Sequence, residues 1–328
     1  MEQMIDLWEY TRRLMRVFAV ELLFGGGDQA YLIADLVSRL MEHKWDRRAF
    51  IFPVNLPNTL YGQIVRESED LERHLLEWVA GKRGRIDNRD LASIIVNSPD
   101  ADGNLTDDAT IVGQLPSLFA AASEASQGAL AWTLLLLMLH PRVEAALLDE
   151  LRDALGGASP SLERAIELPF LDAVIKESMR ILPPVPLQIR VAQCDTSIAG
   201  NEIGKGSRVI LNTFLTNRMP ELYPEGDLFR PERWFSIAPT AFEFPVFSAG
   251  PHSCPGYWFG STAIKIALAA ILTRYRMNLP HDARVDYRVQ PTMRPLAAIP
   301  VVLRRQDGGG QSTTPIRGKI RNLVSFPS

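Results

Sequence analysis

The residues best suited to chemistry lie in one short run, Phe247-Ser248-Ala249-Gly250-Pro251-His252-Ser253-Cys254-Pro255-Gly256. Pro255 and Gly256 stop the chain from continuing as a strand. In the apolar segment from Tyr257 to Leu279, residues Ile264, Ala267, Leu268, Ile271 and Leu272 then give a helical apolar face. Cys254 therefore stands at a helix N-terminus, where unpaired backbone N–H groups and the positive end of the helix dipole favour thiolate over thiol. A sulfur so placed can act as a nucleophile, a redox thiol or a metal ligand, and the plainest alternative is a small buried hydrophobe in a turn. A Cys-His nucleophile using His252 would also need an orienting acid and an oxyanion hole, and no motif supplies either.

The elements that must position this loop are mostly helical. Apolar periodicity predicts helices from Met1 to Phe24, stopped by Gly25-Gly26-Gly27, and from Tyr31 to His43. It predicts others over Tyr61 to Ala80, Asp90 to Asn97, Asp107 to Leu139, Arg142 to Leu155 and Leu171 to Leu182. Ala49 to Leu60 reads as loop, and no internal repeat is present. Cys194 to Ala199 and Ser207 to Asn212 read as a hairpin around turn residues, and Val285 to Leu303 as a second with its turn at Pro291–Leu296. Asn217 to Arg233 is a proline-rich meander, and the Gly/Ser/Thr-rich end of the chain reads as a mobile tail. The class is mainly α with small β-sheets, one domain over 1–306 and a flexible tail over 307–328.

Bulk properties narrow the function. The chain has 328 residues and a formal net charge of −3, which suits a sizeable core and gives no reason to propose nucleic acid as a partner. Two cysteines at no metal-finger spacing argue against a disulfide framework and for a reducing, cytoplasmic compartment. The first residues are acidic and lack the apolar core of a signal peptide. The most apolar run, Ala129 to Leu139, falls short of the roughly 20 residues of a spanning helix, so no membrane segment is expected and the chain reads as soluble.

One further helix carries unusual residues. Ala120-Ala121-Ala122-Ser123-Glu124-Ala125-Ser126 interrupts a greasy helix with small and polar side chains. Tight helix packing explains the small residues, but Glu124 in such surroundings needs water, a partner or a function. Downstream, Glu177-Ser178-Met179-Arg180 places opposite charges at i and i+3, by default a surface ion pair worth a few tenths of a kcal/mol.

Taken together, these motifs resemble the cytochrome P-450 family. The run Phe247, Gly250, His252, Cys254, Gly256 is similar to that family's haem-binding loop. The Ala121–Ser126 stretch is similar to its small-small-x-acid-Thr-Thr/Ser pattern, with Ala125 in place of the first hydroxyl. Glu177 and Arg180, followed by Pro183-Pro184-Val185-Pro186, Arg190 and later Pro231-Glu232-Arg233-Trp234, resemble two more signatures. The match runs from about Asp107 to Arg304 in the family order. Family members begin with a further portion that supplies sheet strands, the lid over the substrate and cationic grips on the haem, so the resemblance implies an N-terminally shortened cytochrome P-450 fold.

The resemblance implies haem b (heme b, iron protoporphyrin IX) with Cys254 as metal ligand. Phe247, Gly250 and Gly256 would shape the cofactor site, and His252 and Arg190 would contact the propionates. Glu124 and Ser126 would be the catalytic pair for proton delivery. Glu177, Arg180 and Arg233 would form a structural network, and Cys194 is read as structural. Ala121, Val185, Leu187, Met293 and Leu296 would line an apolar substrate cavity. The implied activity is a haem-thiolate monooxygenase inserting one oxygen atom from O2 into an apolar small-molecule substrate. Its electrons would come from a ferredoxin or flavoprotein reductase. Ala125 motivates a peroxide-dependent or isomerising haem-thiolate enzyme as the alternative, and the shortened start motivates an inactive haem-binding fragment.

Overall fold

The computed structural model describes residues 2–46, 48–85, 89–100, 102–307 and 315–325. In chain order the elements begin with β1 (Gln3–Asp6), α1 (Leu7–Phe24), α2 (Asp28–Lys44), α3 (Arg48–Ile51), α4 (Leu60–Lys82), α5 (Leu91–Asn97) and α6 (Asp108–Leu139). They continue with α7 (Pro141–Leu155), α8 (Leu162–Ile166), α9 (Pro169–Ile181), β2 (Leu187–Val191), β3 (Thr196–Ile198), β4 (Asn201–Ile203), β5 (Arg208–Asn212) and α10 (Thr213–Thr216). Last come α11 (Tyr257–Arg274), β6 (Tyr275–Asn278), β7 (Tyr287–Val289), β8 (Met293–Pro295) and β9 (Pro300–Arg305). Chain contacts divide them into two units, Arg12–Glu124 on one side and Met1–Thr11 with Ala125–Ser328 on the other.

The Arg12–Glu124 unit is a helical assembly around one apolar cluster. Val20, Leu23 and Phe24 of α1 meet Ile33 and Val37 of α2, Leu75 and Trp78 of α4, and Leu115 and Phe119 of α6. Phe24 meets Trp78 edge-on, with ring centroids 5.4 Å apart, the arrangement aromatic quadrupoles favour. The expected stop of α1 is realised by left-handed backbone at Gly25, Gly26 and Gly27. Asp90 caps α5 through the Ser93 N–H at 2.7 Å and accepts from Lys82 Nζ at 2.8 Å.

In the other unit α6 from Ala129 to Leu139, α9 and α11 supply the core, with Leu130, Trp132, Leu135, Val174, Ile181, Leu268 and Leu272 all buried. A three-stranded antiparallel sheet runs in the order β1-β9-β6. Asp6 accepts from the Trp8 and Ile299 N–H groups, both at 3.0 Å, so one carboxylate caps α1 and fixes the approach to β9. Among the described residues no single helix is long and apolar enough to cross a membrane.

Several boundaries differ from expectation. The first residues of the expected α1 form strand β1, and the expected loop from Ala49 opens on the short α3. The helix after the cysteine loop ends at Arg274, because Tyr275 and Met277 alternate and pair in register with β9. β5 pairs with β2 instead of the segment after Cys194. Between them β3 and β4 make their own hairpin, whose turn residues Ala199 and Gly200 both have positive φ. The later hairpin is the short β7–β8 pair, and β9 leaves it to join the larger sheet.

The expected tail is packed over 315–325. Ile316, Ile320 and Val324 are buried there, and the Ser325 N–H donates to Asp227 O at 2.9 Å. Residues 308–314 and 326–328 lie outside the described residues.

Candidate haem-thiolate site

Upstream of the cysteine loop the meander is tied to α9 by a buried ion network. Glu177 accepts from Arg180 Nε at 2.8 Å, Arg180 Nη2 at 2.9 Å and Arg233 Nε at 2.9 Å. It also accepts from the Trp234 indole at 3.0 Å and the Arg230 N–H at 3.0 Å. Arg180 Nη1 donates to the carbonyls of Asn217 and Gly226, each at 2.8 Å. All three charged side chains are buried, so the motif is not a surface pair. A fork of guanidinium donors on a fully used carboxylate is the form in which buried charge is tolerated. Desolvation still lowers the Arg233 pKa, against the opposing pull of Glu177.

A second pair fixes α11 to α9. Asp172 accepts from Lys176 at 2.6 Å and from Lys265 of α11 at 2.7 Å. Burial pushes its pKa up, but the two ammonium groups outweigh that and hold the carboxyl below its ordinary value.

The loop itself turns through two short 3-10 segments, Pro245–Phe247 and Gly250–His252, with positive φ at Ser248 and Gly250. The Cys254 N–H donates to Phe247 O at 2.8 Å, closing the loop onto its own start. Phe247 and Tyr257 meet edge-on with centroids 4.7 Å apart. Cys254 is exposed just ahead of α11, as the sequence leads one to expect, and is a free thiol.

A Cβ on Gly256 would sit 3.8 Å from the Cys254 sulfur, and one on Gly260, a turn further on, 3.5 Å from the Ser126 hydroxyl. At both positions the missing side chain lets a neighbour approach the backbone closely, the sulfur at Gly256 and α6 at Gly260. A single exposed cysteine sulfur, with no cluster of three or more His, Cys, Asp or Glu among the described residues, is a donor set that would suit an iron whose other ligands a macrocycle supplies.

The other expected site residues are distributed as follows. Ser126 is buried and brought to α11, and Arg190 lies half-buried on β2, donating to Ile189 O at 3.1 Å and Gln188 Oε1 at 3.4 Å. His252 is exposed on the turn before Ser253. Glu124 is half-buried on α6 and closes the Arg12–Glu124 unit. Of the expected cavity residues, Leu187 and Leu296 are exposed, whereas Met293 is buried, its N–H donating to Pro184 O at 2.8 Å. Gln188, Lys265 and Gly260 escaped sequence reasoning. The alternation Leu187-Gln188-Ile189-Arg190-Val191 was the available signal for the first of them.

A cytochrome P-450 family model matches residues 17–298. The chain belongs to the cytochrome P-450 family. Among cytochrome P-450 relatives it is 33% identical over 291 residues to a sterol 14alpha-demethylase of Mycolicibacterium vanbaalenii, covering 84% of this chain and 63% of the relative. It is 30% identical over 288 residues to a germacrene A hydroxylase of Barnadesia spinosa, with 86% and 55% covered. It is also 30% identical over 207 residues to a pentalenene oxygenase of Streptomyces avermitilis, with 62% and 46% covered. The chain thus spans about half the length of the curated relatives it matches. In fold it resembles a cyanobacterial cytochrome P-450 with retinoic acid bound, at TM-score 0.80 and 22% identity over 92% of this chain and 70% of the other. Family and fold together imply a haem cofactor.

Proposed function

We propose that this chain is the catalytic part of a haem b-thiolate monooxygenase acting on an apolar small molecule. The observation that carries the reading is Cys254, exposed ahead of α11 with Gly256 beside its sulfur. When bound, the haem supplies oxygen activation, its thiolate ligand pushing electron density that favours O–O cleavage. One atom of O2 enters the substrate and the other leaves as water, consuming two electrons and two protons.

The chain's own residues supply the rest. Cys254 holds the iron, and Phe247 shields the sulfur from water. Gly250 and Gly256 let the loop approach the ring. Arg190 and His252 donate to the propionates, a role in which the forked guanidinium grips harder. Glu124 and Ser126 carry protons toward the reacting face. The electrons come from a separate ferredoxin or flavoprotein reductase, and the free thiols suit a reducing compartment such as the cytoplasm. Relatives named for pentalenene, germacrene A and a sterol favour a hydrocarbon-like substrate.

The test is the spectrum of the purified, haem-loaded protein, reduced under carbon monoxide. A red-shifted thiolate-type Soret band is expected, lost in Cys254→Ala; a band that survives that substitution refutes the ligand assignment. Ala125 favours one rival, an enzyme that runs on peroxide. Product formed with peroxide and no reductase supports the rival, and strict dependence on a reductase removes it.

A further inference from the structure

Ser248, next to the carbonyl that anchors Cys254, adopts φ 60° and ψ −173°. That region of backbone space is open to glycine and strained for any residue with a Cβ. Something must hold it there. The Ser248 hydroxyl donates to Gln188 Oε1 on β2 at 3.1 Å. The same amide oxygen accepts from Arg190 Nη2 at 3.4 Å, and Gln188 Nε2 donates to Pro245 O at 3.4 Å. This orientation is the one that satisfies both ends of the amide, since a flipped group would set its NH2 against a guanidinium.

The geometry matters because the 247–248 peptide plane carries the acceptor for Cys254. If Ser248 relaxed to negative φ, that plane would rotate and the Phe247 carbonyl would swing away from the Cys254 N–H. We propose that Gln188 is a positioning residue for the thiolate loop: by holding Ser248 in its strained conformation, it keeps the Phe247 carbonyl on the Cys254 N–H and so fixes the direction of the sulfur. The assignment rests on the reading of Cys254 as the iron ligand. Gln188 touches neither substrate nor iron; it acts through Ser248.

Two readouts test it, one with haem and one without. The first is the share of the reduced carbon monoxide complex absorbing as thiolate-ligated rather than neutral-ligated. The second is hydrogen exchange at the Cys254 amide in haem-free protein. Gln188→Leu and Ser248→Ala should each speed that exchange by about tenfold and lower the thiolate share. Gln188→Glu keeps the acceptor and should hold both readouts near wild type. Ser248→Gly removes the strain, so adding Gln188→Leu to it should change exchange by less than about twofold.

Unchanged exchange and band in Gln188→Leu overturn the proposal, as does an equal Gln188→Leu effect with and without the Ser248→Gly substitution. Should Gln188→Leu not fold, the contrast between Ser248→Ala and Ser248→Gly decides: equal behaviour overturns the proposal, and protection by glycine alone supports it. Absence of a thiolate band in the unaltered protein would sink the haem reading, while the exchange measurement would still judge the strut.

Discussion

The indole Nε1 of Trp132 donates to the main-chain carbonyl of Met293 at 3.0 Å, joining α6 to β8 across 161 positions of sequence. Both residues are buried, so the carbonyl has little access to water if the donor is lost. Trp132→Phe removes the donor and some volume, and a loss of about 1–3 kcal/mol is expected. Urea unfolding with an unchanged slope and a lower midpoint would show it. A midpoint equal to wild type would mean that pairing with β7 and the bond to Pro184 hold β8 without the indole.

Gly260 offers a graded test of how closely α11 approaches α6. An added Cβ would meet the Ser126 hydroxyl at ordinary contact distance. Gly260→Ala should therefore be tolerated and gain up to about 1 kcal/mol from helix propensity. Gly260→Leu should overpack the approach of α11 to Ser126 and cost about 1–3 kcal/mol, read as a lower urea midpoint. Equal midpoints in the two variants would show that α6 leaves room beside Gly260.

Glu144 is buried on α7, and desolvation raises its pKa to about 7, against the lowering charge of Arg276. The folded state thus holds the proton more tightly than the unfolded chain, whose carboxyl titrates near 4.5. Stability should fall as pH rises between these values and level off above 7, by no more than about 3 kcal/mol. Glu144→Gln should flatten that slope in urea midpoints taken from pH 5 to 8.

Asp172 has the opposite sign, because its folded pKa lies below the ordinary 3.8. Its contribution is present above that value and is lost as pH falls through the lowered one. Asp172→Asn should cost about 1–2 kcal/mol at neutral pH, with the gap to wild type closing in acid below pH 3.8. Thermal melts over that range would check it.

Ile320 is fully buried in the packed segment 315–325. Ile320→Ala should cost about 2–4 kcal/mol, far more than a substitution in a solvated tail. A melting temperature within a degree or so of wild type would return this segment to the status of an ornament.

Much of the site was legible in the sequence, because the cysteine loop, the Glu177–Arg180 pair and Arg233 announce themselves by residue type at short spacing. The helices were legible too, since apolar period and Gly stops are local signals. Sheet pairing was not: β2 and β5 are joined only after the β3–β4 hairpin intervenes, and nothing in either strand names its partner. The end of the chain misled because Gly, Ser and Thr dominate its composition, while Ile316, Ile320 and Val324, spaced by four, carry its burial. For Gln188 the strand alternation marks only a face: its proposed role arises from the backbone of Ser248, and φ is not written in a residue's name.

Arg218 gives the packed segment a consequence for how the molecule assembles. Its guanidinium donates to Ile181 O at 2.7 Å and to Leu323 O at 3.0 Å, a partner 105 positions downstream. Burial lowers its pKa to about 10, with Arg180 adding to the shift and Asp227 opposing it. During synthesis this cation must wait for a carbonyl made a hundred residues later, and such distant closures form slowly. Until then the meander around Asp227 lacks the clasp that residues 323–325 provide.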